Sequence, residues 1–222
     1  MADEGYGQGK PFDVMNSRGL AAKREYVRGL EQRGDDQALS LLVECLCDES
    51  WYLRDLAEAA LLRRGPERAG VLVPHLEQGL WFTRASVARI LGRLGHRAAV
   101  PALLRLCGDA NATVVTSAES ALIAIGRGGG AFRLAHALHR LPPDAFRERL
   151  AAIAAGDAAL AGRVERLRQN EELMSVADPD AMSDQHPLVL ASEEGVEWEV
   201  LTRPPPGDAG KEIREREKNE GA

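Results

Sequence analysis

Residues 66–95, PERAGVLVPHLEQGLWFTRASVARILGRLG, decide the fold, because the segments on either side repeat their layout. Residues 35–65 read DDQALSLLVECLCDESWYLRDLAEAALLRRG, and residues 96–126 read HRAAVPALLRLCGDANATVVTSAESALIAIG. Gly34, Gly65, Gly95 and Gly126 close successive units at an almost constant interval. A leucine stands four residues before each one: Leu30, Leu61, Leu91 and Leu122. Tyr26, Ala57, Val87 and Ala118 stand eight before, which places both sets on one helix face. In the front half, Ala38, Ala69 and Ala99 lie four residues after a glycine, and Leu42, Val73 and Leu103 lie eight after. Each unit is therefore expected to hold a first helix, a polar turn, a second helix and a left-handed closing glycine. One such pair cannot bury its own apolar stripe, so neighbouring pairs must stack into an all-α solenoid.

Working outward, SRGLAAKREYVRGLEQRG (residues 17–34) reads as a lone second helix. Residues 127–156 make a degenerate unit, with Gly156 falling at the same interval after Gly126. The stretch 157–175 is expected to be one capping helix with Leu160, Val164, Leu167 and Met174 on its inner side. The solenoid is thus placed at 15–175, after an N-terminal stretch 1–14 expected to be disordered. Pro66 and Pro101 suit the first turn of a helix, whereas Pro74 should kink one. The Gly128–Gly130 run has no strand before it and no Lys-Ser/Thr after it, so it reads as a hinge, not a phosphate loop.

Composition agrees with close-packed helices. The 222 residues are 45% hydrophobic but only 5% aromatic, too few rings for a sandwich or barrel. Charge is unevenly spread. Residues 1–170 carry 23 Lys and Arg against 20 Asp and Glu, while residues 171–222 carry 5 against 14. A body of +3 bearing a tail of −9 suggests an interaction tail at 176–222. The N-terminus lacks a basic, apolar leader and no run is long enough to span a membrane, so a cytoplasmic monomer is expected. Cys45, Cys47 and Cys107 have no zinc or disulfide spacing.

The units resemble HEAT repeats of the short bacterial type, also found in phycobilisome-lyase-like proteins. Leu53-Arg54 and Thr83-Arg84 match that family's Val-Arg pair, Asp48 and Asp109 match its turn aspartate, and Val114-Val115 and Gly79 depart from it. The resemblance covers residues 35–126 and implies that Arg54 and Arg84 bond a turn aspartate of a neighbouring unit, with Lys23 standing at the same place. It also implies that the second helices line the concave face. Some HEAT proteins are di-iron hydroxylases through His-Glu dipeptides, and no histidine here is followed by Glu.

Two aromatic pairs, Trp51-Tyr52 and Trp81-Phe82, open successive second helices, with Ala112-Thr113 ending the row. They read either as packing between repeats or as a partner-binding patch. Arg28, Arg63, Arg89 and Arg93 add a basic patch to the same helices. In the tail, Val196, Trp198 and Val200 alternate with Glu197 and Glu199, so residues 188–201 read as a hairpin or a linear motif that folds back on this patch. The scattered histidines suggest no metal site, and no catalytic residue or cofactor motif is found. The function expected is a non-catalytic scaffold for another protein, gripped through the concave face. A lyase-like subunit acting on a chromophore protein is the alternative, and a nucleic-acid binder the second. A body charge of only +3 is low for that last role.

Overall fold

The structure, a computed structural model, describes residues 19–194. The lone second helix is α1 (Leu20–Arg33). The first pair is α2 (Asp36–Cys45) with α3 (Trp51–Arg63), and the second is a 3-10 helix (Pro66–Leu76) with α4 (Trp81–Arg93). The third pair is α5 (Val100–Leu106) with α6 (Ala112–Ile125), and the fourth is α7 (Ala131–His139) with α8 (Pro143–Gly156). Then come α9 (Ala158–Arg168), α10 (Glu171–Met174) and α11 (Pro187–Glu194). No strand occurs among the described residues, and the fold is an α-solenoid of stacked antiparallel pairs. The second helices approach one another more closely than the first helices do, which sets them on the inner side of the curve.

The register read from sequence forms the core, except that Tyr26 and Val73 are only partly buried against it. Leu30, Leu61, Leu91 and Leu122 are buried, as are Ala57, Val87 and Ala118 behind them. Ala38, Ala69, Ala99, Leu42 and Leu103 complete the layer from the first helices. Small residues allow the tightest contact. A methyl group on Gly92 would stand 2.6 Å from Cα and 2.7 Å from Cβ of Ala121, so α4 and α6 nearly touch backbone to backbone. Cys45 and Cys107 fill apolar slots, and burial pushes their thiols up to about 12 and about 11, away from the reactive thiolate form.

Four features depart from expectation. Residues 66–76 wind as a 3-10 helix, not a kinked α-helix, with Pro66 in its first turn and Pro74 inside it. Gly34, Gly65 and Gly95 have the expected positive φ, but Gly126 is right-handed at −59° and the left-handed residue is Gly129 at +91°. Gly126 is small for another reason: an added Cβ would lie 2.7 Å from a methyl of Leu160. The stretch 157–175 is two helices, broken where Asn170 caps α10 by accepting from the Leu173 N–H at 3.1 Å.

The fourth departure is the largest. Residues 176–194 are packed onto the last pair, so the expected boundary at 175 moves. The first arm of the expected hairpin is helical in α11, with Val189 fully buried; residues 195–201 and Trp198 lie outside the described residues. Shielded cations explain the packing. Arg133 reaches Asp180 at 2.6 Å, and Arg163 pairs with both Glu193 and Asp184, at 2.8 Å to the latter. Asp184 also accepts the N–H groups of Ala131 and Phe132, each at 3.0 Å. It thereby caps α7, whose own preceding residue is Gly130 and offers no side chain. Arg97 adds a bond to the Met182 carbonyl, and buried His136 donates from Nε2 to the Val176 carbonyl at 3.1 Å.

Two measurements check this closure. Asp184→Ala should lose at least the roughly 0.5–2 kcal/mol of an N-cap, read as a lower urea midpoint, with Asp184→Asn expected to retain part of it. Burial beside Arg133 and Arg140 holds the His136 ring below the ordinary imidazole value. The unfolded chain therefore takes up that proton first, and stability falls as the pH drops below about 6.5. Melting at pH 7.5 and 5.5 should show this loss, and His136→Phe should make it shallower.

Candidate functional site

The opening residues of the second helices share one register: Leu20, Trp51, Trp81, Ala112 and Pro143. In a solenoid, equal register becomes a row along one edge. Its first three members are large apolar groups left in solvent, at 61% for Leu20, 71% for Trp51 and 44% for Trp81. Leu80 beside Trp81 is 54% exposed. Four of the six exposed large hydrophobics among the described residues thus fall at this edge.

The two aromatic pairs divide their labour. Tyr52 is half-buried, and its hydroxyl accepts from Arg24 of α1, the preceding second helix, at 2.8 Å. Phe82 is also half-buried and lies 4.3 Å beneath the Arg54 guanidinium of the preceding unit. Each packed ring meets its tryptophan edge-on, at 5.9 Å for Trp51–Tyr52 and 5.6 Å for Trp81–Phe82. So Tyr52 and Phe82 do the packing between repeats, while Trp51 and Trp81 project outward against a rigid neighbour. A ring ordered in advance loses little entropy on binding.

The Val-Arg positions are structural. Arg84 forks onto Asp109 of the next turn with bonds of 2.9 and 3.1 Å, and the pair is mostly shielded. The next turn available to Arg54 has Gly79 and no aspartate, so Arg54 instead holds the Asp48 and Glu49 carbonyls of its own turn at 2.7 and 2.9 Å. Lys23 is buried.

The inner face carries the remaining arginines. Arg63 pairs with Glu31 at 2.6 Å and Arg89 with Glu58 at 2.8 Å, each reaching the second helix of the unit before. Arg28 and Arg93 are exposed and form no ion pair among the described residues. Pairing leaves the net charge unchanged. Helices α1, α3 and α4 hold nine Lys and Arg against four Asp and Glu, or +5, whereas α6 and α8 hold two against three, or −1. The positive charge falls on the same three helices that bear the apolar row.

Sequence reading named the tryptophans and the four arginines as candidates but not Leu20 and Leu80. Leu20 was within reach, since it stands one repeat before Trp51 in the same register. On the outer side, a cleft of ≈ 410 Å³ opens between α2 and the 3-10 helix, lined by Leu39, Val43, Cys47, Val71 and His75. Among the described residues, no three His, Cys, Asp or Glu side chains gather to hold a metal ion, and no helix is long and apolar enough to cross a membrane.

Stacked antiparallel helix pairs define a helical repeat protein. Residues 83–109 match the family model described as PBS lyase HEAT-like repeat, and with the units on either side the chain is a HEAT-like repeat protein. The matched stretch contains both partners of the Arg84–Asp109 bridge. No match is found among curated proteins.

Stability measurements separate the two kinds of residue. Trp51→Ala should change the unfolding free energy by no more than about 0.5 kcal/mol, as for an exposed side chain. Arg84→Ala should cost about 1–3 kcal/mol, because Asp109 loses its charged donor in a shielded place. A large loss from Trp51→Ala would return the exposed rings to the packing role.

Proposed function

We propose that the chain is a non-catalytic scaffold that docks another protein on the inner face of α1, α3 and α4. The carrying observation is the row of exposed Leu20, Trp51 and Trp81 in a single repeat register. Large apolar groups are costly to leave in water, and tryptophan and arginine are the residues that dominate protein interfaces. Arg28, Arg63, Arg89 and Arg93 stand on the same helices, so Trp51, Trp81 and these four arginines are the contact residues assigned to the partner, with Tyr52 and Phe82 bracing the tryptophans.

The lyase-like alternative draws on repeat type alone, and a chromophore protein would be one kind of partner for the same face. Nucleic acid is a poorer fit. The described residues carry 21 Lys and Arg against 24 Asp and Glu, without the broad basic field that phosphate binding requires.

A photo-crosslinking residue placed in the native host tests the assignment. Substituted at Asp55 on α3, it should capture a protein partner; at Ser40 on the outer side it should capture little. Crosslinks confined to the outer position, or to nucleic acid, would contradict the proposal.

A further inference from the structure

Resting on that docking face, we infer that its occupant is an acidic segment of a partner protein, with bulky apolar side chains spaced to meet Trp51 and Trp81. Three observations specify this chemistry. The apolar row supplies anchors at Leu20, Trp51, Leu80 and Trp81. Adjacent second helices lie roughly 8–10 Å apart, so successive anchors sit about that far apart along the row. The +5 of α1, α3 and α4 falls on the same three helices that carry the row, and it drops to −1 on α6 with α8, where the row ends at Ala112. Arg63 and Arg93 close the helices that Trp51 and Trp81 open, about 18 Å further along, so an acidic segment that meets both rings and cations must run along these helices.

The remaining cations are free to meet such a segment. Arg28 and Arg93 are exposed without ion pairs among the described residues, and the Arg63 side chain remains 63% exposed despite its bond to Glu31. Guanidinium groups bond carboxylates in a two-pronged geometry, so they favour Asp and Glu side chains over diffuse charge.

The test uses the full chain and defined probes, with binding read by fluorescence anisotropy. The first probe is a short labelled peptide of alternating glutamate and leucine; the second is its twin with lysine at each glutamate. The acidic peptide should bind and the lysine twin should not, and affinity should fall as salt rises. Trp51→Ala and Trp81→Ala should each weaken binding about tenfold or more, and Arg28→Glu with Arg93→Glu should do the same. Circular dichroism melts establish that each variant is folded, and Arg105→Glu on an outer helix is the control expected to bind normally. Equal binding of both peptides, or binding untouched by the four variants, overturns the inference. So does a single-stranded oligonucleotide that binds more tightly than the peptide through the same residues. So does concentration-dependent self-association that vanishes when residues 195–222 are removed, because the occupant is then a second copy. If the acidic peptide fails while crosslinks still map to Asp55, the docking face stands and only the partner's chemistry is wrong.

Discussion

The near-contact between Gly92 and Ala121 is the constraint on which the stack depends. An added methyl would meet the opposite backbone at 2.6 Å, so α4 and α6 can pack this closely only with a glycine there. Dispersion forces reward such closeness and fall off within an ångström of separation. The same stacking of second helix on second helix carries the Arg63–Glu31 and Arg89–Glu58 bridges and brings Leu20, Trp51 and Trp81 into line.

A stack of this kind must end somewhere, and its two ends are treated differently. At the C-terminal side, α7 begins after a run of glycines that can supply no cap. Asp184 provides one from far along the chain and at the same time neutralises Arg163. The last pair is therefore held by a segment that follows the repeats. Such a closure hides the end of the apolar core, as terminal units in repeat proteins must. It also explains why Arg133 can be buried, since Asp180 arrives from the same segment.

The repeat itself was legible because each unit restates the same apolar register, so Leu61, Leu91 and Leu122 vouch for one another. What sequence concealed depended on distant partners. Nothing local marks Asp184 as a cap, and its surroundings read as linker by composition. Gly126 resembled the other closing glycines, yet Leu160 dictates its size. The tryptophan row was legible as a row, but not which ring of each pair faces water. That choice is made by Arg24 and Arg54, side chains of the preceding unit that grip Tyr52 and Phe82.

Close stacking thus creates an aligned edge of exposed apolar groups. Collisional quenching of tryptophan fluorescence tests it most directly, in a Trp198→Phe background so that only Trp51 and Trp81 emit. Iodide, caesium and neutral acrylamide should all quench both rings readily, as solvent-facing indoles require. Rings that none of these quenchers reaches would contradict an exposed tryptophan edge.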